Sequence, residues 1–310
     1  MGLKVSPRTS TSGSRFLAPS LAPPVSSPAP ILLSASWGSV SVRRDRGAKI
    51  TAITLANGHE WLVQADHEAG GCDADAAFID AEVCGWDEIA PTLTSSGVRD
   101  HGEVWRGPWA LLHLDERRLV LETRGERGQF VLRREIGMTV FGMRIDYAAR
   151  SLRGEIPFLW MAHPQFRAPA GTVVRFSPHQ DEWVEAFGPH PGESVSRGLP
   201  ANPVECVAAG SGRKFWTRSG AAPRSMTVDH PNNASLTMTW EGPISDFALW
   251  IDNGWKASEP IVCPEPSTSF GDDVDVAAAA GRALVLTEHE WTRWQVQVDV
   301  RCLSDGLARG

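Results

Sequence analysis

The chain has 310 residues, 42% of them hydrophobic, enough to bury a sizeable core as one large β domain or as two ordinary domains. Its net charge of -7 and its scattered lysines and arginines leave no concentrated basic face, which argues against nucleic acid as a partner, and no stretch approaches the roughly 20 apolar residues of a membrane-spanning helix. Five cysteines, Cys72, Cys84, Cys206, Cys263 and Cys302, are odd in number and form no C-x-x-C pair, against both a zinc site and a disulfide framework and in keeping with a reducing compartment.

In chain order, residues 1–33 come first and are dense in Ser, Pro and Ala, with the first acidic residue only at Asp45. Such a composition cannot build a packed core and predicts a disordered, dispensable extension. Its Ser and Arg content without acids fits an organelle transit peptide, "MGLKVS" fits the myristoylation pattern, and a mis-assigned start codon stands equally open; the patch "ILLSA" is too weak for a secretory signal. The localisation expected is cytoplasmic, with an organelle as the alternative if the extension is a transit peptide.

Residues 34–303 read as one domain of successive strands, and residues 304–310 as a tail. "SVSVRR", "AKITAITL", "HEWLVQAD", "RLVLETRG", "GQFVLRRE", "GMRIDYAARS", "GTVVRFSP", "SLTMTWEG", "DFALWID" and "WTRWQVQVDVR" are short, β-branched or aromatic, and largely alternating. Turn signals such as "ANGH", "DERR" and "RGERG" separate them. A helix is predicted in "GDDVDVAAAAGRA", with Asp272 and Asp273 as N-cap chemistry and Gly281 as its stop. A second helical turn is expected in "GWDEIAPTL", where Asp87 and Glu88 would cap it and brace a cleft. With no βαβ alternation and no repeat, the fold class is all-β: a large antiparallel two-sheet sandwich.

Nucleotide and serine-hydrolase chemistry lack their carriers, since there is no Walker-type phosphate loop, no G-x-G-x-x-G and no G-x-S-x-G. His179, Asp181 and Glu182 in "SPHQDE" have no second ligand pair at matching spacing and read as a solvated loop. What remains is a set of stretches, "CGWDEIAPTL", "DHGEVWRGPW", "FLWMAHPQF", "ALWIDNGW" and "VCPEPSTSF", each setting His, Asp or Glu beside Trp, Phe, Gly or Pro. A pyranose offers an apolar C–H face for stacking and a polar rim of hydroxyls, and such stretches suit it. There are 13 tryptophans against one tyrosine; most, Trp216, Trp240 and Trp294 among them, are expected in the core.

In order and spacing, "GAKITAITLANGHEWL", "GWDEIAPTL", "DHGEVW", "LWMAHPQF", "VCPEPSTS" and "GRALVLTEHEWTRWQVQVDV" resemble the aldose 1-epimerase, or galactose mutarotase-like, superfamily. The resemblance implies a β-supersandwich and interconversion of α and β anomers of an aldose without cofactor or metal. It implies that His163 protonates the ring oxygen and Glu265 takes the anomeric hydroxyl proton, while His101 contacts the sugar. Trp105, Trp160 and Trp250 are expected beside the substrate, with Asp252 as the candidate for the family's hydroxyl-binding aspartate. Cys263 and Pro264 depart from the aliphatic residues common before that glutamate. The partner implied is a monosaccharide or a sugar phosphate, bound by a monomer or homodimer. A non-catalytic carbohydrate-binding protein and a sugar-phosphate epimerase or eliminating enzyme on the same scaffold stay open; Arg106 or Arg144 in the cleft would favour an anionic sugar.

Overall fold

Alternating burial gives the fold its first principle. Thr292–Cys302 buries Trp294, Val296, Val298 and Val300 and turns the residues between them outward, and Ala234–Glu241 does the same with Ala234, Leu236, Met238 and Trp240. A computed structural model describes residues 29–65, 77–81, 83–95, 97–218 and 222–302. Residues 1–28, Cys72 and the tail 304–310 lie outside them. Strand pairing is antiparallel throughout the two large sheets.

The smaller sheet has eight strands in the order Val173–Ser177, Ser225–His230, Ala234–Glu241, Thr292–Cys302, Gly142–Ser151, Phe130–Met138, Arg118–Arg124 and Ala110–Leu114. At its last edge, the register shifts between Leu111 and His113. The larger sheet has eleven strands and runs Ile31–Ala35, Gly38–Arg43, Lys49–Leu55, Trp86–Ile89, Met161–Pro164, Ile261–Ser267, Asp246–Asp252, Gly212–Thr217, Trp183–Phe187 and Ser194–Val195, with Phe166–Arg167 also on Ile261–Ser267. The sheet thus takes in "ILLSA", with Leu33 fully buried, although composition grouped its first residues with the extension.

One face of the larger sheet packs on the smaller one, burying Phe215, Phe247, Leu249, Ile251 and Val262 with Met238, Trp240, Trp294 and Val296. The opposite face carries Trp216, Ala248, Met161 and Ile89, covered by Val274. This outer face becomes the cleft. Among the described residues, no helix is long and apolar enough to cross a membrane.

Two sequence expectations fail for stated reasons. "GWDEIAPTL" contains a strand, Trp86–Ile89, rather than a helical turn. Its alternation puts Asp87 on the outer face beside Lys49, 3.0 Å away, and Glu88 between the sheets beside Arg134, 3.3 Å away. Two buried cations override the local capping preference. "HEWLVQAD" makes only isolated bridges, at Glu60 and Leu62. There the Glu60 carboxylate accepts the backbone N–H groups of Ile53 and Leu62 at 2.8 and 2.9 Å, taking bonds that a regular ladder would use.

Candidate active site

Cross-strand register builds the cleft floor in rows. Trp216, Ala248 and Glu265 stand opposite one another on three adjacent strands, and two residues further along, Lys214, Trp250 and Cys263 form the next row. Side chains two apart on a strand share a face, so both rows lie on the cleft side of the sheet. His163 joins from Met161–Pro164, where it faces Asp87. Its Nε2 lies 3.6 Å from Glu265 Oε1, and both side chains are almost wholly enclosed. Lys214 Nζ lies 2.6 Å from Glu265 Oε2 and 2.7 Å from Asp272 Oδ1.

His101 reaches the same place from a loop. Its backbone takes φ 62°, a left-handed conformation that few residues with a Cβ adopt, and Gly102 follows at φ 84°, where a Cβ would stand 2.3 Å from the Ala90 carbonyl oxygen. The imidazole is held by Asp100 at 2.8 Å and by Phe78, stacked on it at 3.9 Å between ring centroids. The His101 and His163 rings meet edge to face at 5.5 Å.

Burial governs the protonation of this cluster. It pushes the Glu265 carboxyl up to about 7, against the Lys214 ammonium, which holds it down. It also holds His163 well below the ordinary imidazole value, with His101 and Lys214 adding to the effect. His101 is lowered by burial, in part offset by Asp100. Burial alone would favour the neutral amine of Lys214, yet Asp272 and Glu265 outweigh it and keep the ammonium above its usual range. The Cys263 thiol is pushed well up by burial and by Glu265, which suppresses the thiolate.

Glu265, His163, His101, Asp100, Lys214 and Asp272 line a cavity of about 370 Å³ together with Phe187, Trp250, Asp252 and Trp255. His101, His163, Glu265, Trp250 and Asp252 are thus brought together from distant parts of the chain. Asp252 is fully buried at the cavity wall, and its carboxylate accepts backbone N–H groups of Trp255, Lys256 and Ala257 at 2.6, 3.0 and 3.3 Å.

Trp105 and Trp160 do not line the cavity. Trp160 belongs to the core between the sheets, where its Nε1 donates to Glu88 at 2.6 Å; Trp105 backs Phe78 and donates to the Asp100 carbonyl at 3.1 Å. Arg106 stacks its guanidinium over the Trp105 ring at 4.2 Å rather than lining the cavity, and Arg144 pairs with Asp146 on an exposed face of the smaller sheet. Lys214 and Asp100 escaped the sequence reading as site residues, and Asp272, read there as N-cap chemistry, instead pairs with Lys214 while Asp273 caps the helix. A signal for Lys214 was its place in "GRKFWT", directly before Phe215 and Trp216.

His163, Cys263 and Glu265 each bring one ligand atom within 4.8 Å of the others. Lys214 already sits on the Glu265 carboxylate, so a metal ion at this set would face a neutralised ligand and a neighbouring ammonium.

No protein-family model matches the chain, and no curated protein matches it in sequence. Solved structures do match. A protein of Synechocystis sp. PCC 6803 superposes with a TM-score of 0.71 at 16% identity, over 89% of this chain and 96% of that one. An Escherichia coli protein proposed to be an aldose 1-epimerase gives 0.67 at 15% identity, over 88% and 99%. A galactose mutarotase-like protein of Lactobacillus casei gives 0.66 at 12% identity, over 88% and 100%. Together with the two-sheet architecture, these superpositions establish that the chain has the galactose mutarotase-like fold.

Proposed function

We propose that the chain is an aldose 1-epimerase, interconverting the α and β anomers of a sugar by acid and base catalysis at Glu265 and His163. The observation that carries the reading is their adjacency at 3.6 Å on a buried floor. A hemiacetal bears its ring oxygen and its anomeric hydroxyl on one carbon, so a base for one and an acid for the other must stand side by side. In the tautomer of the singly protonated pair that carries its proton on His163, Glu265 takes the hydroxyl proton while the imidazole gives one to the ring oxygen. The C–O bond of the ring breaks and the hydroxyl oxygen becomes the aldehyde oxygen. Rotation about C1–C2 and the reverse transfers close the other anomer, and both groups regain their starting protons.

Glu265 Oε2 is held by Lys214, which leaves Oε1, the oxygen nearer His163, for the substrate. His101, fixed by Asp100 and Phe78, contacts the sugar from beside His163. A neutral aldose suits the cavity floor better than a sugar phosphate, because among the described residues no arginine lines the cavity, the Lys214 ammonium is shared between two carboxylates, and the other lining lysine, Lys256, sits beside Trp255 rather than at the floor.

The same ion pair favours a second reading, a carbohydrate-binding protein without turnover, since a salt-bridged carboxylate is a weaker base. Polarimetry or saturation-transfer NMR on fresh α-glucose and α-galactose, corrected for spontaneous mutarotation, separates the two. Catalysis is expected, with Glu265→Gln slowing it by about 10² or more because the amide cannot accept the proton. A wild type that accelerates neither sugar yet binds one leaves the binding reading; a Glu265→Gln protein as fast as wild type removes Glu265 as the base.

A further inference from the structure

Beyond the floor, the cavity ends in an aromatic ledge. Phe187 and Trp255 are 48% and 37% exposed, yet their rings stack at 5.7 Å between centroids and 22° between planes, and Trp250 tilts against both at 5.6 and 6.0 Å. Two devices fix the ledge. The Asp252 carboxylate ties down the turn that carries Trp255 through three backbone hydrogen bonds. At Gly212, a Cβ would stand 2.5 Å from the Trp250 ring and 3.0 Å from the Trp255 ring, so glycine there lets both indoles lie close over the strand. Exposed aromatic surface held this firmly is the mark of a binding face.

The strand rows set its distance from the chemistry. Two residues of strand advance about 7 Å. Phe187, Lys214 and Trp250 are in register one row beyond Glu265, and Gly212, beneath Trp255, lies two rows beyond. A ring whose anomeric carbon is at Glu265 and His163 occupies the first row, and the ledge begins where a second linked ring would follow. Its surface is apolar with one ammonium, Lys256, 5.4 Å from the centre of the Trp255 ring, which suits a C–H face with hydroxyls at its edge.

We infer that the physiological ligand is a di- or oligosaccharide with a free reducing end, whose terminal ring enters the cavity while the next ring stacks on Phe187 and Trp255. The inference rests on the sugar reading of the site above, and it requires linkage through a hydroxyl other than the anomeric one. Calorimetric titration of the full chain with maltose, cellobiose and lactose, set against glucose and galactose, tests it. Wild type is expected to bind at least one disaccharide about tenfold tighter than its reducing-end monosaccharide, the gain of one good ring contact. Trp255→Ala and Phe187→Ala should each bring that ratio toward one. A wild-type ratio of one, or a ratio kept in both variants, overturns the ledge. So does a wild-type dimer that Phe187→Ala returns to monomer, because the ledge would then be a subunit contact. Disaccharide preference without anomer exchange sustains the ledge and overturns only the catalytic reading; failure to bind any sugar overturns both.

Discussion

Glu265 lies between an ammonium that favours its ionised form and an enclosure that opposes it, and the balance falls near 7. In the proposed mechanism the competent state carries one proton on the Glu265–His163 pair as a whole, and the pair titrates as a unit. Above the raised carboxyl value that proton is lost and the rate falls; in acid a second proton arrives on the lowered imidazole and the rate falls again. The pH profile of kcat/KM is therefore expected to be bell-shaped with its alkaline limb near 7. Lys214 lowers the carboxyl, so Lys214→Met should move that limb upward, while a limb that stays in place would show that Lys214 does not set it. His101, His163 and Glu265 were legible because their motifs combine an ionisable group with Gly or Pro and aromatic neighbours. Lys214 and Asp272 were not, because each is a single charge whose partner lies far off in sequence. Nor does sequence separate wall tryptophans from core ones: Trp160 and Trp250 sit in equally apolar runs, yet one faces between the sheets and the other faces the cleft.

The short helix Val274–Ala279 shows how an element serves the floor. Asp273 is its N-cap, accepting the N–H groups of Asp275 and Val276 at 2.8 and 3.3 Å, which leaves the neighbouring Asp272 to face Lys214. Asp273→Ala should cost about 1 kcal/mol of stability, read by urea denaturation. It should also slow anomer exchange, because Asp272 would lose its anchor. Unchanged kinetics would show that Asp272 is placed without the cap. The helix and the long alternating strands were readable from period and caps. Ile261–Ser267, which carries Glu265, was not, since both its faces are buried and Pro264 and Pro266 interrupt any strand signal. The sheet tolerates these prolines because one side of that strand is covered in two pieces, Met161–Pro164 pairing at Ser267 and Phe166–Arg167 at Val262 and Ile261. Fixed backbone on either side of Glu265 then limits how far its side chain can stray.

Across the whole molecule the two sheets are joined by more than apolar packing. Glu88, from the larger sheet, accepts the Tyr147 hydroxyl at 2.8 Å and lies 3.3 Å from Arg134, both residues of the smaller sheet. All three are enclosed, and burial raises the Glu88 carboxyl despite Arg134. Glu88→Ala would leave a guanidinium uncompensated between the sheets and should destabilise the fold by about 3–5 kcal/mol in denaturant titration. Glu88→Gln, which can still meet Tyr147, should cost less; equal losses would mean that the charge is irrelevant. At the far border of the smaller sheet, Leu111, Leu112 and Leu114 are 42%, 48% and 46% exposed on a strand that no other strand pairs on its outer side among the described residues. A straight, greasy border of that kind is a template on which further chains can add and polymerise. The register shift between Leu111 and His113 breaks the even spacing of its donors and acceptors. One misaligned residue thereby makes the rim a poorer template for fibre growth.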